Sequence, residues 1–227
     1  MLVSLFLVTR NRTVAVRTLH TCLGINSTCA HHKIAFEVTF IEEHETSVID
    51  EITKKMKGDK RLIVLEYGCS IEKEAIHVMF SHIKQHGQVA VFPAPVEGID
   101  WDKFKKKVIA DGNTEPISQA GLSFDTVLGK QLSEGMWSVT KTSPRVWVMD
   151  TKPVSKKLKD KKGNSIKLPN TREAFFDKLL AQGVKIFAST SYTTSCLFQH
   201  ECISNILNSH GVSRRTAPVA DGQGAGQ

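Results

Sequence analysis

The residues able to do chemistry fall at a few defined places in the chain. Glu66 follows the apolar run Leu62-Ile63-Val64-Leu65 and precedes Tyr67-Gly68. A run of that kind suits a central, doubly covered strand, which puts Glu66 at the strand's carboxyl end, the edge along which open α/β sheets bind ligands. The alternative is a turn acid that serves the next helix. Arg10 and Arg12 flank Asn11 just beyond the apolar run 2–9, in a strand-to-helix turn whose backbone N–H groups and guanidinium groups would attract an anion. Asp150 ends the run 145–149 ahead of Lys152-Pro153; it reads as a catalytic base, a metal ligand or a turn residue. Lys152 and the lysines of 156–162 could stabilise a phosphate-bearing leaving group. Clustered like charges favour exposure, so this lysine run reads first as a solvated loop. Trp137, after Gly135-Met136 in an irregular stretch, is the aromatic best placed to stack on a sugar-like ring, whereas Trp101 and Trp147 read as a helix anchor and a core residue.

These residues need a scaffold, and the periodicity supplies one. Strands are expected near 2–9, 35–41, 62–66, 89–92 and 145–149, with a last one at 184–188. Between the early strands lie amphipathic helices, among them one with Ile71, Ala75, Ile76, Met79, Phe80 and Ile83 at three- and four-residue spacing, capped by Ser70. Asn11 is expected to cap the first helix, and Asn170 with Glu173 to form a capping box for a later one. Alternation of strand and helix predicts one α/β domain over 1–212 with a mainly parallel central sheet flanked by helices. Residues 1–109 form the regular half. Residues 110–212 are less regular, with loops and short strands over 110–143 and a last helix over 195–208. Residues 213–227, rich in Pro, Gly, Ala and Gln, read as a flexible tail.

Composition narrows the function. The 227 residues carry 30 Lys plus Arg against 23 Asp plus Glu, a net charge of +7, which favours a phosphate-bearing or polyanionic partner. Nucleic acid is disfavoured, because neither the lysine run nor the basic helix of Lys103 to Lys107 interleaves stacking aromatics. The five cysteines are scattered without a CxxC pair, which argues against a disulfide framework or zinc cluster and for a reducing, cytoplasmic compartment. The apolar start lacks a basic flank and is too short for a signal or a membrane span, so no membrane segment is expected.

The opening Val3-Ser4-Leu5-Phe6-Leu7-Val8-Thr9-Arg10-Asn11-Arg12 resembles the first strand and nucleotide-touching turn of GT-A glycosyltransferases. The likeness runs through about the first 100 residues and looks most like the small glycosyltransferase domains of large DNA viruses; for a viral chain the compartment would be host cytoplasm or virion. It implies a GT-A, Rossmann-like fold and transfer of a sugar from a nucleotide-diphosphate sugar donor to a glycan or glycoprotein acceptor. It implies a nucleotide site at Thr9, Arg10, Arg12, Glu42 and Glu43 in 1–109, joined by Lys152, and an acceptor site at Trp137 in 110–212. Where the family carries the Asp-x-Asp motif for a divalent metal, this chain has Glu66-Tyr67-Gly68, and His200 resembles the family's late metal or diphosphate histidine. Gly68 supplies no carboxylate, which leaves three outcomes. Glu66 and His200 hold Mn²⁺ or Mg²⁺ with substrate oxygens and waters; cationic residues replace the metal; or the module is catalytically silent and serves binding or structure.

Overall fold

A computed structural model of the chain describes residues 2–198 apart from 57, 59, 82, 111–116 and 161, with side chains at 45–47, 84 and 118 also outside the description. They fall into two compact units, one made of Met1–Glu97 and Ser123–Phe198 and one containing Gly98–Leu122.

The larger unit is a three-layer α/β structure. Its elements are β1 (Leu2–Thr9), α1 (Val16–His31), β2 (Ala35–Glu42), α2 (Glu45–Lys55), β3 (Lys60–Leu65), β4 (Cys69–Ile71), α3 (Lys73–Ser81), α4 (Ile83–His86) and β5 (Val89–Val91). In the smaller unit, α5 (Trp101–Ile109) is capped by Asp100, whose carboxylate accepts from the Lys103 N–H at 2.9 Å, and Trp101 meets Phe104 edge to face. The larger unit resumes with β6 (Thr126–Ser133), β7 (Met136–Thr142), β8 (Val146–Asp150), α6 (Thr151–Lys157), α7 (Arg172–Ala181), β9 (Ile186–Ser189) and β10 (Thr194–Cys196).

The main sheet has the order β2-β1-β3-β8-β5-β9-β7-β6. Strands β1, β2, β3, β5, β9 and β6 run one way, and only β7 and β8 oppose them. Alternation along each strand feeds two cores. Phe6, Val8, Val64, Trp147 and Met149 pack with Ile49 and Ile52 of α2 and Phe175 and Phe176 of α7. Leu5, Leu7, Ile63, Leu65 and Val148 pack with Ile25 of α1 and Ile76 and Met79 of α3 on the other face. Burying a side chain of this size contributes roughly 1.5–3 kcal/mol, so the apolar runs are held between helical layers. Because β2 and β3 flank β1, with α1 on one face and α2 on the other, the strand order reverses at β1, and a crevice forms beyond the carboxyl ends there.

Two expectations change. Ser70 lies within β4 and does not cap α3, which starts at Lys73. A helix from Ser195 is replaced at 194–196 by β10, which pairs antiparallel with β4, and 197–198 are not helical; the expected helix from 199 on, His200 included, and the tail 213–227 lie outside the described residues. No helix among the described residues is long and apolar enough to cross a membrane.

Candidate functional site at the carboxyl edge

At the end of β3 the backbone N–H of Glu66 donates to the Arg145 carbonyl at 3.2 Å, extending the antiparallel pairing with β8 by one step. This brings the Arg145 side chain to Glu66, and its Nε donates to Oε2 at 3.1 Å. The other oxygen, Oε1, pairs with Nη1 of Arg172 at the start of α7. Arg172 is braced in turn by the hydroxyl of Ser143, which accepts from its Nε at 3.1 Å. Arg145 is held from behind by Asp125, whose carboxylate accepts the Arg145 N–H at 3.1 Å together with the Ala94 N–H and the Thr126 hydroxyl. Burial pushes the Asp125 carboxyl above its ordinary value against those hydrogen bonds. The Arg145 guanidinium also lies 5.1 Å from the Phe198 ring centre.

The β1 turn stands beside this cluster. Asn11 and Arg12 both take positive φ, and Arg10 and Thr13 exchange backbone hydrogen bonds around them. The turn therefore closes on itself, and α1 begins only after Ala15, with no side-chain cap from Asn11. Glu42 fastens it by accepting from the Thr9 hydroxyl at 3.1 Å and the Arg12 N–H at 3.3 Å. Glu43 takes the Arg10 guanidinium with both oxygens, and this pairing holds its carboxyl below the usual range. Arg10 in turn lies 4.9 Å from the Tyr67 ring centre.

Between these groups opens a cavity of about 200 Å³, walled by Val8, Val48, Ile49, Ile52, Val64 and Trp147 and rimmed by Glu43, His44, Glu66, Arg145 and Arg172. Its apolar walls and convergent charged rim are the composition of a small-molecule site.

The sheet thus brings Thr9, Arg10, Arg12, Glu42, Glu43 and Glu66 to one region. Asp150 and Lys152 are elsewhere. Strand β8 runs against β3, so its final residue Asp150 pairs with Arg61 at the start of β3 and lies at the opposite edge of the sheet. There its carboxylate accepts from Arg61 Nε at 2.7 Å and Nη2 at 3.1 Å, while Arg61 Nη1 donates to the Met79 and Phe80 carbonyls. Lys152 follows on α6 at that same edge. The lysine run shares it: Lys156 and Lys157 are helical, and a turn around Asp160 follows, with Lys159 bridged to Ser165. Trp137 pairs with Ala188 near the carboxyl end of β9. It shares the cavity's edge but stands four strands from β3, about 19 Å at the usual spacing.

The described residues do not fit a divalent metal at Glu66. Both of its oxygens are engaged by guanidinium groups, Tyr67 and Gly68 add no carboxylate, and no group of three or more His, Cys, Asp and Glu residues among those described gathers around a common point. Reading the sequence missed Arg145 and Arg172. Arg172 left a signal, since a cation in the first turn of a helix opposes the helix dipole and implies a compensating partner.

No family model and no curated protein matches the chain by sequence. Among solved structures, it is similar to A197 from STIV, with a TM-score of 0.45, 9% identity and coverage of 88% of this chain and 87% of that one. It is similar to GalNAc-T7 solved with UDP, GalNAc and Mn²⁺, with a TM-score of 0.47 and 12% identity over 88% of this chain but only 44% of that one. A Bacillus anthracis protein solved with sucrose and described as a glucose-1-phosphate thymidylyltransferase gives a TM-score of 0.48, 8% identity and coverage of 89% and 93%. All three overlaps fall below a TM-score of 0.5. The fold assignment stands on the strand order and the two helical layers described above.

Proposed function

We propose that the chain is a nucleotide-sugar-dependent glycosyltransferase that grips the diphosphate of its donor with Arg145 and Arg172. The observation that supports this most is the convergence of these two guanidinium groups on Glu66 at the rim of an apolar cavity, beside the switch point of the sheet. Guanidinium forks match phosphate oxygens in a bidentate manner, and a pair of them suits two linked phosphates. The cavity, at about 200 Å³, is smaller than the ~300–1,000 Å³ of a site for a whole drug-sized ligand, so it takes the nucleoside end and leaves diphosphate and sugar to pass the arginines. Thr9, Glu42 and Glu43 shape the rim, while Arg10 and Arg12 add positive charge to it. Glu66 is the resident counterion: it keeps the arginines extended and shares them when a diphosphate arrives.

The reaction is substitution at the anomeric carbon. The bond from that carbon to the diphosphate oxygen breaks, the electron pair leaves with the diphosphate, and an acceptor hydroxyl oxygen forms the new bond and gives its proton to a base. Charge grows on the departing diphosphate, where a positioned donor is worth on the order of 3–4 kcal/mol of barrier. The acceptor, a glycan or glycoprotein, extends along the carboxyl edge toward Trp137. A second reading, a module that binds the nucleotide sugar without transferring it, draws on one observation: the strand-end acid Glu66 is neutralised by its two arginines. Incubation with labelled nucleotide sugars, alone and with glycan and glycoprotein acceptors, separates the two. Transfer or donor hydrolysis above the uncatalysed rate is expected; donor binding with neither would leave the binding module, and absence of binding would remove both.

A further inference from the structure

We infer that Cys69 and Cys196 form an oxidisable dithiol, a modification site at which a small-molecule disulfide of the glutathione class converts the pair into a disulfide that ties β10 to the Glu66 turn. The two residues are 127 apart in sequence, and their sulfurs lie 3.2 Å from each other. They are direct partners in the antiparallel register of β4 and β10. The Leu197 N–H donates to the Gly68 carbonyl on one side of the pair, and the Glu72 N–H to the Thr193 carbonyl four positions along. Hydrogen-bonded and non-hydrogen-bonded positions alternate in such a ladder, so 69 and 196 occupy a non-hydrogen-bonded position, where Cα atoms approach to about 4.5 Å. That separation falls inside the ~4.4–6.8 Å that a disulfide spans without backbone movement.

The pair is also asymmetric in the way exchange chemistry requires. Cys69 is fully buried, whereas Cys196 is partly exposed. The Cys69 thiol donating to Cys196, reinforced by nearby Arg145, holds the Cys196 thiol below its ordinary value against the opposing effect of burial. The same contact and burial push Cys69 up. Cys196 is thus the attacking thiolate and Cys69 the resolving thiol. Cys196 sulfur attacks one sulfur of the oxidant, its S–S bond breaks, and one small thiolate leaves. Cys69, giving up its proton, then attacks the Cys196 sulfur of the mixed disulfide and expels the second thiolate. The protein loses two electrons and two protons, and the oxidant becomes two thiols. Gly68 shows how tightly the tethered strands already sit: it has φ +75°, and a β-carbon there would come within 2.8 Å of the Leu197 carbonyl oxygen. The segment that the bond would fix carries Phe198, against the Arg145 guanidinium.

The full chain is incubated with oxidised glutathione, alkylated, digested without reduction and mapped by mass spectrometry, with melting measured in parallel. The expected result is one cross-linked peptide pair containing Cys69 and Cys196. Tm should rise by about 10 °C, as closing a long loop does in a domain of this size, and the rise should be reversed by dithiothreitol. In Cys69→Ser, Cys196 should retain glutathione, because no resolving thiol remains; in Cys196→Ser, Cys69 should stay unmodified. Mapping of the unsubstituted chain decides the matter even where a variant fails to fold. Two free thiols at 69 and 196 after treatment, a bond from Cys196 to Cys202 instead, or loss of glutathione from Cys196 in Cys69→Ser would each overturn the inference.

Discussion

Strands β3 and β8 carry the same pattern in opposite directions. Each lies within a segment of one arginine, four apolar residues and one acid: Arg61 to Glu66 and Arg145 to Asp150. Antiparallel pairing sets each arginine against the other strand's acid, so the same ion pair is made twice, about 17 Å apart along the strands. The two ends differ in what surrounds them. Arg61 is 1% exposed, and its donors are taken up by Asp150 and two helix carbonyls. Arg145 faces a cavity and shares its acid with a second arginine brought by α7. One end is a sealed joint between strand and helix. The other sets two guanidinium groups on one carboxylate beside an opening, an arrangement suited to a phosphate.

The two ends should respond oppositely to mutation. The largest effect on stability belongs to Arg61→Ala, which leaves the Asp150 carboxylate without its partner and should cost about 3–5 kcal/mol. Chemical denaturation measures it, and nucleotide affinity, read on whatever fraction stays folded, should not change. A stable Arg61→Ala would show that the sealed end is not a structural joint. Next comes Arg172→Ala at the open end. Hydrogen bonds to charged groups contribute about 1.5–3 kcal/mol, so affinity for a nucleoside diphosphate should fall about 10- to 100-fold. Stability should fall by only about 1 kcal/mol, since Arg145 still pairs Glu66.

Glu66→Gln sharpens the comparison further. Removing the resident counterion should leave nucleoside diphosphate affinity unchanged or improve it a few-fold, at a stability cost of about 1–2 kcal/mol. A large loss of affinity by titration would instead make Glu66 a direct ligand of the donor. The smallest effect is expected at the exposed Arg10–Glu43 pair, worth less than about 1 kcal/mol. The Glu43 carboxyl is held below its usual value by the hydrogen bond from Arg10, so its contribution is present above the unfolded carboxylate's pKa of about 4 and is lost as pH falls through the lower folded value. Melting curves of the unsubstituted chain and Glu43→Gln should differ at pH 7 and converge in acid.

The fold was largely legible in the sequence because its evidence is local. Apolar runs such as 2–9, 62–65 and 145–149 can be buried only as central strands, and the helices between them show their own periodicity. The direction of a strand leaves no such trace: 145–149 reads the same either way, and reading it as parallel sent Asp150 to the wrong edge. Long-range partners were equally hidden. Glu173, in the first turn of α7, pairs with Lys141 at 2.7 Å and makes no capping box, and the N-cap position of that helix falls to Thr171. Strands β4 and β10 are three residues each and gain meaning only from one another. At the site, Arg10, Arg12 and Glu66 stood out by their place at strand ends, while Thr9, Glu42 and Glu43 came from the resemblance to GT-A glycosyltransferases. Arg145 and Arg172 were not, since the first depends on the strand's direction and the second on a helix docking from far along the chain.

The central claim is that paired arginines, with Glu66 as their counterion, bind the donor's diphosphate. Calorimetric titration with a panel of nucleoside diphosphates and their sugar conjugates, with Mn²⁺ and then with chelator, tests it most directly. Saturable binding that persists in chelator and is weakened about 10- to 100-fold in Arg172→Ala is the expected result. Binding that disappears with chelator, or that is indifferent to Arg172, would contradict it.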